Sequence, residues 1–306
     1  MNALRCQGDA AARSPVRERR QRRAGSRERG RPAQVECNRD VREGARPRGD
    51  AWIRVEANRL ERLRLQSSGM GVSRENVATK IALEGLTKSY LGMLPVLDDV
   101  SCKIDEGEFY YLTGVSGAGK TTVFRLLLLI ERPNSGTIHF DGEDITRLTV
   151  AEQALHRRRI GMVFQDYRLL ASDSIEENVA LPLRVAGYRG ARLRKKIELQ
   201  LEQVGLAHRR RDGVAGLSGG EKQLVSIARA LAFDPTVFFA DEPTGNLDHT
   251  MAHRVMELIR NLHQAGCTVI VATHDLTLIR AFRARTLLIK DRKLHEVRLA
   301  EQRVSG

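Results

Sequence analysis

Between the apolar run EFYYLTG and the helical text TTVFRLLLLIE the chain reads Gly114-Val115-Ser116-Gly117-Ala118-Gly119-Lys120-Thr121. A G-x-x-x-x-G-K-T loop between a strand and a helix is the arrangement that cradles a polyphosphate. Its glycines let the backbone curl until successive N–H groups face one anion, and the helix N-terminus adds its partial positive charge. Lys120 then meets the β and γ phosphates, and the Thr121 hydroxyl can ligate Mg2+. The bland alternative is a glycine turn without a ligand, and the strand and helix on either side argue against it.

A phosphate loop implies nucleotide binding but not the task, because several classes of enzyme use it. Asp241-Glu242 ends the run TVFFADE. An aspartate there can hold a Mg2+ shell and the adjacent glutamate can take a proton from attacking water, although strand-end carboxylates also commonly just face solvent. His274 closes another apolar strand, and Gln165, after IGMVF, is likewise an amide at a strand end. Either is compatible with a role at a phosphate or in the structure alone, and neither decides the matter.

Residues 216–230 read GLSGGEKQLVSIARA. Ser218 and Glu221 stand three apart before an apolar-periodic run, the spacing of a capping box. Leu224, Ile227, Ala228 and Leu231 follow at i, i+3, i+4 and i+7, which predicts one buried stripe.

These groups need a frame. From about residue 76 short apolar runs alternate with helix-period segments, the pattern of an α/β fold. EFYYLTG (108–114), TVFFADE (236–242) and TVIVATHD (268–275) are the clearest strands, each ending in polar or glycine residues where open α/β sheets place ligands. Between about 148 and 220 charged helical text predicts a helical insertion.

Taken in order, Tyr90, the loop at 114–121, Gln165, LSGGE at 217–221, Asp241-Glu242, GNLD at 245–248 and His274 resemble the motif series of ABC-transporter ATPase domains. The resemblance covers about residues 79–295. It implies a P-loop core with a mostly parallel sheet flanked by helices, an antiparallel β subdomain and an inserted helical subdomain. It also implies that Tyr90 stacks on adenine, Thr122 supports the α-phosphate, and Gln165 senses Mg2+ and the attacking water and relays to the helical subdomain. Glu242 would be the general base, Asp241 would join Thr121 and Gln165 around Mg2+, His274 would contact the γ-phosphate, and Asp248 would cross a dimer interface.

In that family LSGGE binds the γ-phosphate of ATP held by another subunit. The physics agrees, because Ser218 and the amides of Gly219 and Gly220 form a second anion site at a helix N-terminus. Two such sites invite a head-to-tail homodimer burying two ATP molecules. Lys120 and Ser218 are only 98 positions apart, too close for the long coiled coils of chromosome and repair ATPases of this class.

Within the family, LLLIERPNSGTIHFDGEDITRL, IGMVFQDYRLLASDSIEENVALPLRVAG, DEPTGNLD and VATHDLTLI are most similar to the bacterial cell-division ATP-binding proteins of the FtsE group. That implies an FtsX-like integral membrane partner, other division proteins nearby, and a peripheral place on the cytoplasmic face of the inner membrane, controlling septal peptidoglycan hydrolysis. The alternative is the ATPase of a lipoprotein-releasing or macrolide-type exporter.

The formal net charge is +13, but residues 1–70 hold 18 Arg and 9 acids, a net +9, leaving +4 for the remaining 236 residues. A nucleic-acid-associated ATPase would rest on that tail alone. Residues 1–75 lack apolar periodicity and are expected to be unstructured, with Met70 a candidate start. VEANRLERLRLQ within them has the pattern of a short basic amphipathic helix. Four cysteines without a C-x-x-C pair suit reduced thiols, and no apolar run reaches the roughly 18 residues of a membrane span. The family usually carries Arg where this chain has Leu224, and Leu224→Arg is expected to alter turnover more than stability.

Overall fold

The computed structural model describes residues 78–91 and 94–297. The expectations for the Arg-rich segment, its basic helix and Met70 lie outside them.

The six-stranded sheet has the order β10-β9-β3-β8-β7-β6. Its strands are β3 (Phe109–Thr113), β6 (Ile160–Val163), β7 (Val237–Asp241), β8 (Thr268–Ala272), β9 (Arg285–Lys290) and β10 (Lys293–Val297). All neighbours run parallel except β10, which turns back on β9. A second, antiparallel sheet of order β2-β1-β4-β5 is formed by β1 (Thr79–Lys88), β2 (Leu97–Asp105), β4 (Ser135–Phe140) and β5 (Glu143–Asp144).

The central strands are continuous apolar runs with polar residues only at their ends, because both faces are covered. The period-two alternation of side chains sends Tyr110, Leu112, Phe239 and Ile270 to one core, shared with helix α1 (Lys120–Leu127) and the antiparallel sheet. There Phe124 stacks on Phe239 with ring centroids 5.0 Å apart. Tyr111, Phe238, Val269 and Val271 face a second core. It is shared with α3 (Ile175–Val185), α4 (Gly190–Gln203), α5 (Gly219–Ala230) and α6 (His249–Gln264).

The helical stretch expected over 148–220 needs a correction. Helix α2 (Val150–Arg158) opens it, but β6 follows at once and pairs with β7, Ile160 opposite Val237. The strand end expected before Gln165 is therefore present, but four residues are too short to show a period, and the charged text AEQALHRRR before them reads as unbroken helix. The helices beyond it start on local signals. Thr149 with Glu152, Ser174 with Glu177 and Ser218 with Glu221 form capping boxes at α2, α3 and α5.

Helix α2 also closes the far end of α1. His156 donates from Nε2 to the Leu127 carbonyl, and Arg157 donates to the Leu128 and Leu129 carbonyls, each at 2.9 Å. These are carbonyls that a helix C-terminus leaves without partners. Among the described residues no helix is long and apolar enough to cross a membrane.

Candidate functional site

The loop after β3 takes backbone angles that require glycine. Gly117 and Gly119 have φ of +77° and +108°, and a Cβ on Gly119 would lie 2.8 Å from Val96 Cγ1. Lys120, the first residue of α1, curls back to donate to the Gly114 carbonyl at 3.0 Å and the Val115 carbonyl at 3.4 Å. Its ammonium is 3.8 Å from Glu242 Oε1. Val115, Ser116 and Gly117 are exposed, while Ala118 is half-buried.

Three strand ends converge here, since β3, β8 and β7 are neighbours in the sheet. Thr121 donates its hydroxyl to Asp241 Oδ2 at 2.7 Å. Asp241 is buried, and burial pushes its carboxyl above the usual range, with Glu242 adding to the rise and Thr121 and Lys120 opposing it. His274 donates from Nδ1 to Glu242 Oε1 at 2.8 Å, its own side chain open to solvent and the glutamate's largely covered.

Gln165 stands exposed two residues beyond β6, on the strand next to that of Asp241, with no hydrogen bond to the cluster. The turn after it is held from α5. Arg229 donates to the Tyr167 and Arg168 carbonyls at 2.6 and 2.5 Å, and Ser226 donates to the Tyr167 carbonyl at 3.4 Å. Tyr167 and Arg168 both have φ near +50°. A guanidinium bridging two successive carbonyls supports such a backbone.

At the signature stretch Ser218 Oγ accepts from the Glu221 N–H at 3.3 Å, and Glu221 Oε2 accepts from the Ser218 N–H at 2.9 Å. Glu221 is also paired with Arg209. The N–H groups of Gly219 and Gly220 are the first two of α5, which have no partner within a helix. The two glycines differ in their reason. Gly219 is half-exposed, whereas a Cβ on Gly220 would lie 2.5 Å from Met251 Cγ, so Gly220 lets α6 pack against α5. Asp248 caps α6 by accepting the Met251 N–H at 2.9 Å. Leu224 is 1% exposed and lies in the core with Ile227, Ala228 and Leu231, the stripe expected from their spacing.

Tyr90 sits beside α1. Its hydroxyl donates to Glu131 Oε2 at 2.8 Å and is 3.3 Å from Thr122 Oγ1. Glu131 and its partners Lys88 and Arg125 are residues that sequence reasoning did not single out. The text IERP held the glutamate, but nothing in its spacing points back to Tyr90.

Among the described residues no three His, Cys, Asp or Glu side chains form a metal cluster. A cavity of about 530 Å³ lies at the Phe109 end of β3, opposite the phosphate loop, and contributes nothing to the site.

Comparisons with known proteins bear on this geometry. The ABC transporter family matches residues 97–245. The cell division ATP-binding protein FtsE of Escherichia coli (strain K12) is 44% identical over 215 residues, 70% of this chain and 97% of that protein. The chain belongs to the ABC transporter ATP-binding family.

It is an ATPase of the ABC type, similar to FtsE. The methionine import ATP-binding protein MetN 2 of Rhodopseudomonas palustris (strain ATCC BAA-98 / CGA009) is 41% identical over 223 residues, 72% of this chain and 58% of that protein. Among solved structures, the ATP-binding cassette MJ0796, a dimer in a post-hydrolysis state bound to ADP and Pi, aligns with a TM-score of 0.65. The two are 33% identical, over 72% of this chain and 99% of that one. The ABC ATPase architecture expected from the sequence is therefore present, with its mostly parallel core sheet and antiparallel subdomain.

Proposed function

We propose that this ABC ATPase binds ATP with Mg2+ at the carboxyl edge of its core sheet and serves a membrane complex of bacterial cell division. The observation that carries the reading is the 44% identity to FtsE over 97% of that protein, against 58% of the methionine-import relative's length.

In this reading the loop Gly114–Gly119 wraps the phosphates, and Lys120 exchanges its loop carbonyls for the β and γ phosphate oxygens. Thr122 meets the α-phosphate, and Tyr90 stacks on adenine. Glu242 takes the proton of the attacking water, and His274 contacts the γ-phosphate. The Thr121 hydroxyl and the buried Asp241 carboxylate suit Mg2+, a hard cation with oxygen ligands, and Gln165 reaches toward it as nucleotide arrives. Mg2+ would neutralise charge on the phosphates. A cation beside Asp241 would also offset the cost of burying that carboxylate.

Ser218, Gly219 and Gly220 serve a second copy. In an isologous homodimer they complete the site around the partner's ATP, and exposed Asp248 lies at the interface. The dimeric state of the similar cassette MJ0796 supports this. Arg229, bridging α5 and the turn after Gln165, offers a path from the Mg2+ site to the helical segment.

The resemblance to FtsE implies an FtsX-like integral membrane partner, which would hold the chain peripherally at the cytoplasmic face of the inner membrane. With other division proteins the pair would control septal peptidoglycan hydrolysis. Depletion in the native bacterium tests this. Cells should grow as filaments, be rescued by the wild-type chain and not by Lys120→Ala, and yield the chain together with an FtsX-like protein. Normal septation with loss of methionine uptake would instead favour the importer reading suggested by the methionine-import relative.

A further inference from the structure

The ring of Tyr90 is built into a charged cluster. Its hydroxyl donates to Glu131 at 2.8 Å, and because that proton is committed, Thr122 Oγ1 at 3.3 Å must be the donor in their contact. Glu131 is held from two further sides, by Lys88 at 3.2 Å and by Arg125 on α1 at 3.1 Å. Burial alone would raise its carboxyl, but the hydrogen bonds from Tyr90, Arg125 and Lys88 together keep it below the usual range. Lys88 Nζ also lies over the Tyr90 ring, 5.2 Å from the centroid, and donates to the Arg132 carbonyl at 2.9 Å. One face of the ring is thus taken by a cation, and a base stacked on Tyr90 has the other.

The cluster joins two segments distant in sequence: the end of β1, and the first two turns of α1 with the residues that follow that helix. A phenol committed to a carboxylate has little freedom to rotate. Preorganising the ring in this way spares the ordering cost that a loose aromatic would incur on binding.

We propose that Glu131 is a positioning residue for nucleotide binding, its carboxylate fixing the Tyr90 ring so that affinity depends on the base as well as the phosphates. Glu131 itself touches neither base nor phosphate and acts through Tyr90. The inference rests on the reading that Tyr90 stacks on adenine, and the test separates the two.

Dissociation constants are measured for ATP and for inorganic tripolyphosphate, which has no base, on the full chain with Mg2+. Tyr90→Ala should weaken ATP by about tenfold, the order of one base–aromatic stack, and leave tripolyphosphate unchanged. Glu131→Ala should weaken ATP by several fold, again with tripolyphosphate unchanged, and should add nothing in the Tyr90→Ala background. Glu131→Gln, which keeps an oxygen acceptor for Tyr90 and nearly the same shape, should recover part of the loss and guards against a folding defect in the alanine variant. If Tyr90→Ala leaves ATP binding intact, the stacking reading fails and the inference with it. If Tyr90→Ala behaves as expected but Glu131→Ala weakens both ligands equally, changes neither, or adds in full to Tyr90→Ala, Glu131 is not a positioning residue while the stacking reading stands.

Discussion

Glu242 Oε1 accepts the His274 Nδ1 proton at 2.8 Å, which ties the end of β7 to the end of β8. The Glu242 N–H makes a second tie, donating to the Ala272 carbonyl at 2.9 Å. Its φ of +47° is uncommon for a side chain of this size. Strained backbone persists where its surroundings over-determine it, and such residues concentrate at active sites.

His274→Ala removes the donor that orients this carboxylate. Steady-state kinetics should show a loss of roughly 10²-fold, mainly in kcat, the low end of what acid–base groups contribute. A change of less than twofold would leave the contact without a part in hydrolysis.

Lys120 donates to its own loop carbonyls, those of Gly114 and Val115, at 3.0 and 3.4 Å. Removing a charge-assisted partner of phosphate costs about 1.5–3 kcal/mol, so Lys120→Ala should weaken ATP by roughly 10–100-fold in calorimetry. An unchanged dissociation constant would count against the phosphate loop.

Leu224 reverses an expectation from the sequence. With its side chain in the core, Leu224→Arg would bury a guanidinium among Val225, Ile227 and the neighbouring apolar groups. The variant should lose stability before any effect on turnover is readable, and Leu224→Ala should cost about 2–5 kcal/mol in denaturant unfolding. A melting temperature unmoved by Leu224→Arg would restore the earlier view.

His156 makes stability depend on pH. It is 3% exposed, its Nδ1 has no partner, and burial pushes its pKa down; Arg159 and Arg157 add to that effect, while the Leu127 carbonyl and Asp141 oppose it. Between that depressed value and the ordinary value near 6.5 the unfolded chain binds the proton and the folded chain does not. Stability therefore rises with pH across this window and is lost as pH falls through it. His156→Leu should flatten this part of the denaturation profile measured at successive pH values. An unchanged slope would show that other groups carry it.

The phosphate loop and the strand ends at Asp241 and His274 were legible because buried parallel strands are continuous apolar runs and the loop's glycines have fixed spacing. The Ser218 capping box and the Leu224 stripe were legible because both are local to one helix. Strand β6 was legible only at its end, where Gln165 follows IGMVF, since four residues carry no period and the charged text before them reads as helix. The Tyr90 cluster was hidden for a different reason. Arg125 and Glu131 are only six residues apart, but Lys88 and Tyr90 meet them only after β1 is laid against α1, and charges so placed look like any solvated surface until then. Gly220 read as an open approach for an anion, and only the packing of Met251 against it gives the structural reason for its missing side chain.

Glu242→Gln tests the central claim most directly, that ATP is hydrolysed between two copies with Glu242 as base. The variant, sized by light scattering with and without ATP and Mg2+, should be a monomer alone and a stable dimer with nucleotide. Its turnover should fall by roughly 10²–10⁴-fold. Hydrolysis at the wild-type rate, or a monomer at saturating ATP, would contradict it.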